Sequence, residues 1–244
     1  MKTSVFLLII LVSFQAALAN PETILSNDNL PPEFEAIYDV QKKGLRVGSM
    51  VVSLNKNGNK IIYKSVVNSV GIASLLADEK QLTDRAILEL IDDSYRALEF
   101  THTVVGGAKD RNEHYSFDWE DNKVSIRYKD RISSLNIPFN TYDNFSVQLL
   151  LMREPDDNNI ENTYSVISKG RLKNYVYKFE SLEEIKTNLG KLNANKYVRK
   201  KNNDKRTTYF GWYAETLHYI PVRLDKFENG KIDLSIQITN VTWL

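Results

Sequence analysis

The tightest constraint on this chain is a two-residue alternation of apolar and polar side chains, broken at short intervals by turn residues. Ile232, Leu234, Ile236 and Ile238 share one parity, while Asp233, Ser235 and Gln237 share the other. Successive side chains of a strand point to opposite faces, so this pattern describes an antiparallel strand buried on one side only. The same period runs through Phe34, Ala36, Tyr38 and Val40, through Met50, Val52 and Leu54, and through Ile62, Lys64 and Val66. Asn57-Gly58 and Asn229-Gly230 stand between such runs, and both are strong hairpin signals.

Further along, Leu82 to Thr103 fits either a helix or two strands. Leu98, Phe100 and Thr103-Val104-Val105 favour two strands. Gly106-Gly107 makes the next turn. Tyr115, Phe117 and Trp119 alternate, then Val124, Ile126 and Tyr128. After Pro138 the period changes. Tyr142, Phe145, Leu149 and Met152 fall on one helical stripe, which predicts a helix from Thr141 to Glu154, capped by Thr141 or Asp143. The acidic, Asn-rich run Asp156 to Asn162 is a loop. Strands resume with Tyr164, Val166, Tyr175, Tyr177 and Phe179. Ser181 to Glu184 has a capping-box pattern that Gly190 cuts short. Lys196 to Arg206 reads as an exposed hairpin tip, and Pro221 as a strand edge or start. The count is about a dozen strands and one principal α-helix.

The amino terminus carries a different message. Met1-Lys2 is positive, Val5 to Phe14 is almost wholly apolar, and Ala17-Leu18-Ala19 fits signal-peptidase cleavage after Ala19. The apolar run is short of the ~20 residues that cross a bilayer as a helix. No later segment approaches that length, so the mature chain should have no transmembrane helix. The expected organisation is a signal peptide at 1–19, a polar leader at 20–33 and a single β-rich domain at 34–244. The chain has no cysteine. That excludes disulfides, thiolate metal sites and thiol catalysis, and leaves stability to core packing. Lys and Arg number 32 against 31 Asp and Glu, a balance that argues against a nucleic-acid partner.

Few constellations carry chemistry. His102, His114 and His218 are the only histidines, with neither HExxH nor HxH spacing, so no metal site is expected. Asp143-x-x-Ser146 reads as helix capping ahead of an activated hydroxyl, because no oriented base is near in sequence. Asp118, Asp143 and Asp204 are the acids an enzyme of glycoside chemistry would draw on, provided two of them face one cavity. The aromatic residues are more suggestive. Tyr209, Phe210, Trp212, Tyr213 and Tyr219 crowd one region of a chain with 13 Tyr, 10 Phe and 3 Trp. Such side chains either pack a core or line a surface for an acyl chain or a sugar face.

Several residues form an ordered set: Tyr38, Gly44 and Gly48; Asp110-Arg111 with Phe117-Asp118-Trp119; Ile137-Pro138; Tyr142-Asp143-x-x-Ser146 running to Leu149 and Arg153; Glu184-Ile185-x-Thr187-x-Leu189-Gly190; Trp212 to Ala214; and Pro221-Val222-Arg223. In order and spacing the set resembles the exported bacterial family catalogued as domain-of-unknown-function family 3108, from about Phe34 to Asn240. Where that family places Asp shortly after the tryptophan, this chain has Glu215-Thr216-Leu217. The resemblance marks Asp143, Ser146, Trp119, Pro221 and Arg223 as structural-motif residues. It implies an exported, mainly β protein without an established activity. By fold analogy it further implies a curved antiparallel sheet, or half-barrel, wrapping the helix.

Three functions follow as expectations. The first, and the favoured one, is a non-catalytic envelope protein, periplasmic, without cofactor or metal. It would hold a lipid or other hydrophobic small molecule between sheet and helix, with Phe145, Leu149, Met152, Tyr209, Trp212 and Tyr219 as ligand-binding candidates. The second is an enzyme processing an envelope polysaccharide. The third is a module that contacts other envelope proteins through a sheet edge, guarded by Pro221 and Arg199-Lys200-Lys201.

Overall fold

The computed structural model describes residues 30–70, 79–92, 94–106, 111–153, 161–201 and 204–244. The expected signal peptide, most of the expected leader, the segment from Gly71 to Ala77 and most of the expected loop from Asp156 to Asn162 lie outside the described residues. So does the dipeptide 202–203 at the end of the expected basic tip.

Among the described residues, fifteen strands form one sheet. The first meander comprises β1 (Phe34–Lys42), β2 (Leu45–Asn57), β3 (Lys60–Ser69), β4 (Glu79–Ile91), β5 (Ser94–Gly106), β6 (Glu113–Asp118), β7 (Lys123–Tyr128) and β8 (Arg131–Asn136). The second comprises β9 (Thr141–Asp143), β10 (Glu161–Ser168), β11 (Arg171–Thr187), β12 (Gly190–Lys201), β13 (Asp204–Ala214), β14 (Ile220–Glu228) and β15 (Lys231–Trp243). Each strand pairs with its neighbour in sequence, except at the junction. There β1 pairs antiparallel with β15, so the strand order runs from β8 down to β1, then from β15 down to β9. All pairs are antiparallel except β9 with β10.

Turn chemistry sets the registers. At Asn229-Gly230 both central residues have positive φ, +52° and +75°, the backbone that matches the twist of two-residue hairpins. At the first Asn-Gly signal the register pairs Asn57 with Lys60. The loop is therefore Gly58-Asn59, one residue later than the dipeptide indicates, with Gly58 at φ +59°. Leu82 to Thr103 is two strands, as the β-branched and aromatic residues require. Ser181 to Glu184 lies inside β11, not at a helix start; Ser181 Oγ donates to Glu183 Oε1 at 3.0 Å. Lys196, Tyr197 and Val198 lie inside β12, so the basic tip is shorter than the sequence implies.

The long helix is the main correction. Thr141–Asp143 is extended, pairs with Ser165, Val166 and Ile167, and buries all three side chains. Only Ser146–Leu150 is helical; we call it α1. The apolar spacing of Tyr142, Phe145, Leu149 and Met152 is real, but it reflects a segment enclosed on several sides rather than one face of a long helix. A five-residue helix cannot stand alone. Here it is held by both meanders. The Phe145 ring stacks on Tyr63 of β3 with centroids 4.2 Å apart, and Tyr213 Oη of β13 donates to Gln148 Oε1 at 2.8 Å.

Strands distant in the sheet order also meet. Tyr142 Oη of β9 donates to the Tyr95 carbonyl of β5 at 2.8 Å. At the β10–β11 turn, Lys169 N donates to Glu113 Oε2 at 3.2 Å, and Gly170 N to Tyr115 Oη at 3.3 Å. Around α1 sits a core that includes Phe34, Tyr38, Leu54, Tyr63, Leu88, Phe100, Tyr115, Leu149, Met152 and Tyr213, all buried.

Candidate functional site

Alternation along β11 to β15 brings one set of side chains to the face that looks toward α1. In register, Tyr177 opposes Arg199, Arg199 opposes Tyr209, and Tyr197 opposes Gly211. Gly211 opposes Leu224, Leu224 opposes Ile236, and Lys226 opposes Leu234. These residues, with Gln148 and Tyr213, line a partly open, mainly apolar cavity of about 200 Å³. Gly211 is what lets it close over tightly. A Cβ there would stand 2.8 Å from Cε2 of Tyr213 and 3.1 Å from Cδ2 of Leu224, so the ring lies directly on the glycine.

The tyrosines are buried hydroxyl carriers. Burial pushes Tyr177 and Tyr164 up to about 12 and Tyr213 well above its ordinary value. They stay neutral at any physiological pH and act only as hydrogen-bond donors or acceptors. One charged group joins them. The Arg199 guanidinium lies 4.1 Å from the Tyr175 ring centroid and 4.0 Å from that of Tyr209. Since β12 runs between β11 and β13, the two rings flank it on either side.

The opposite face of the same strands holds a second cluster. Trp212 Nε1 donates to Glu183 Oε2 at 2.8 Å. Lys196 Nζ and the Arg223 guanidinium sit over the Trp212 ring at 5.5 and 5.3 Å. Arg223 pairs with buried Asp225 at 2.8 Å, which also accepts from Ser235 Oγ at 2.6 Å. The β11–β12 hairpin crosses this face, since Gln237 Nε2 of β15 donates to the Lys186 carbonyl of β11 at 2.6 Å. Those strands are not neighbours in the sheet, so the hairpin must fold over. In this cluster both cations are paired with carboxylates, and its one fully buried ionic group, Asp225, is hydrogen-bonded as well as paired.

The sequence candidates therefore separate. Tyr209 lines the cavity. Trp212, three residues on, has the other parity and lies on the opposite face. Leu149 and Met152 are fully buried in the core, and Phe145 is taken up by Tyr63. Tyr219 follows a 3-10 turn at Glu215–Leu217, with φ +57°, and packs at the edge of the core. Gln148, Tyr197, Arg199, Leu224, Leu234 and Ile236 went unremarked as ligand contacts. The pairing register across four strands brings them together, and no single run of sequence shows it.

Among the motif residues, Asp143 is buried at the end of β9, two residues before Phe145, the N-cap residue of α1. It accepts from the backbone N–H of Phe145 and of Ser146, each at 2.8 Å, and from Ser146 Oγ. Burial lifts its carboxyl to about 6 despite those bonds. Trp119 Nε1 donates to the Ala97 carbonyl at 2.6 Å. Pro221 is the second residue of β14; it stands opposite Tyr213 of β13, beside a register shift, and pairing of β14 with β15 begins only at Arg223. The strand is interior to the sheet, so Pro221 guards no edge. The histidines stand on different elements. His102 Nδ1 is 2.7 Å from Asp84 Oδ1, His114 Nε2 is 3.3 Å from Glu99 Oε1, and His218 packs edge-on to Trp243. Among the described residues no three metal-ligating side chains converge. Asp118 accepts from the backbone N–H of Glu120 and Asp121 in an exposed turn.

Residues 34–237 match a family described as a protein of unknown function, DUF3108. No curated protein matches the chain. Two solved structures are similar over most of it. One is a candidate lipoprotein from Parabacteroides distasonis ATCC 8503, 11% identical, covering 88% of this chain and 98% of its own, with a TM-score of 0.40. The other is a candidate exported protein with a YmcC-like fold from Bacteroides fragilis NCTC 9343, 10% identical, covering 88% and 97%, with a TM-score of 0.39.

Proposed function

On the premise that this chain belongs to the DUF3108 family, we propose that it is an exported envelope protein of non-catalytic type that binds a hydrophobic, lipid-like ligand within its curved sheet. The observation that carries the reading is the apolar cavity between β11–β15 and α1. Its walls are Tyr177, Tyr197, Tyr213, Leu224, Leu234 and Ile236. Apolar walls with a few convergent polar groups are the usual composition of small-molecule sites. Contacts between β5 and β9, and between β6 and the β10–β11 turn, support a half-barrel form. Lys2, the apolar run Val5 to Phe14 and Ala17-Leu18-Ala19 support export with cleavage after Ala19, into the periplasm.

A ligand that binds only the native state raises stability by mass action. The test is to purify the exported chain from its own host without detergent, extract it with organic solvent, and analyse the extract by mass spectrometry. A stoichiometric hydrophobic compound is expected, and the stripped protein should melt at a lower temperature. An empty extract together with an unchanged melting temperature would overturn the reading. Edman sequencing of the same sample should begin at Asn20.

One observation favours a second reading, a module that contacts other envelope proteins. Edge strand β8 leaves Arg131 to Ser134 exposed on both faces, with Ile132 77% accessible, and an uncovered edge is a template for another strand. Cross-linking from a cysteine placed at Ser133 in native membranes tests it.

A further inference from the structure

Arg199 differs from three other half-buried cations of the second meander. Lys196 pairs with Glu180 and Glu183, Arg223 with Asp225, and Lys226 with Glu228 and Asp233. Arg199 is half-buried, and its partners are rings: Tyr175 and Tyr209 at its flanks, with Tyr177 at 5.8 Å. Among the described residues no carboxylate pairs with it. Asp225 lines the same cavity, but its carboxylate is committed to Arg223 and Ser235 on the other side of the sheet. Aromatic faces offset part of the desolvation of a guanidinium. They leave its planar fork of N–H donors unspent, and that fork matches carboxylate and phosphate geometry. An unpaired half-buried cation beside an apolar cavity is an incomplete arrangement, which a bound anion would complete.

We propose that Arg199 anchors the headgroup of the ligand and that the ligand is a single-chain anionic amphiphile, carrying a carboxylate or phosphate on one acyl or alkyl tail. The tail lies against Leu224, Leu234, Ile236 and Tyr213, in register behind the arginine. The cavity, about 200 Å³, is smaller than the ~300–1,000 Å³ of sites for drug-sized ligands. That size suits one chain rather than the two of a diacyl lipid. Stacking by Tyr175 and Tyr209 fixes the guanidinium before the ligand arrives, which lowers the ordering cost of binding. This inference rests on the reading of the cavity as a ligand site.

The experiment is calorimetric titration of the exported, solvent-stripped chain with dodecanoate, dodecyl phosphate and uncharged dodecanol, all below their critical micelle concentrations. Wild type should bind at least one anion more tightly than dodecanol, and rising salt should weaken only the anion. Arg199→Gln should weaken the anion by about 10–100-fold, the range for losing a hydrogen bond to a charged group, and leave dodecanol unchanged. Arg199→Lys should fall between. Leu234→Trp, which fills the cavity, should abolish all three. Preference for dodecanoate or for dodecyl phosphate identifies the headgroup, and either supports the anchor. Equal binding of dodecanol and both anions to wild type would overturn the role of Arg199 while leaving the cavity a ligand site. Binding of none of the three to wild type would overturn both. The wild-type comparison needs no variant to fold.

Discussion

Two buried polar side chains have consequences that can be measured. Asp143 is fully enclosed, and desolvation lifts its carboxyl from 3.8 to about 6, against the pull of Ser146 and the backbone N–H groups of Phe145 and Ser146. Between those values the native chain keeps a proton that the unfolded chain has released. The contribution to stability is therefore full below about pH 4 and is lost as pH climbs through about 6. Two pKa units correspond to roughly 3 kcal/mol. Asp143→Asn keeps an oxygen to accept the two N–H bonds and removes the titration. Urea midpoints from pH 4 to 7 should fall in wild type relative to the variant; parallel curves would show that the proton is held elsewhere. Tyr38 is the second case. Its hydroxyl is buried without a hydrogen-bond partner among the described residues, which costs about 1–3 kcal/mol. Tyr38→Phe should leave the thermal midpoint unchanged or raise it, and a clear loss would reveal a partner. The bonding of Asp143 to Ser146 is legible from the spacing Asp143-x-x-Ser146. Its burial is not, because local sequence does not show that β9 will be covered on every side.

The β-strands were readable because a half-buried strand writes its environment into its own alternation, as β15 and β1 do. The helix was misjudged because a segment enclosed by β3, β5, β10 and β13 is apolar in several directions, and such a run also satisfies a 3.6-residue period. The residues around the cavity were hidden for another reason. Tyr209 and Trp212 crowd together in sequence but face opposite ways, whereas Arg199, Tyr209, Leu224 and Ile236 are brought together by registers across four strands. Since α1 has no independent stability, its packing should carry it. Leu149→Ala should destabilise the whole domain by about 2–5 kcal/mol, with an unchanged urea m-value. A lower m-value would mean that the helix unfolds separately from the sheet.

At the scale of the molecule, the pairing of β1 with β15 decides cooperativity. Thr239 Oγ1 donates to the Ile37 carbonyl at 3.0 Å across 202 residues of chain. Contacts that distant place folding in the slow range, milliseconds to seconds or longer. Hydrogen exchange should be slowest for amides of β1, β2, β14 and β15 and fastest for β8, whose faces are open. Equal protection of β8 and β1 would mean that the rim is covered in solution.

The same seam acts as a check on completeness. A polypeptide interrupted anywhere before Lys231 would leave Phe34, Ala36, Tyr38 and Val40 on a strand that has β2 on one side and an open edge on the other. Such fragments are natural prey for proteases and prone to stick to one another, so only products that include β15 should persist.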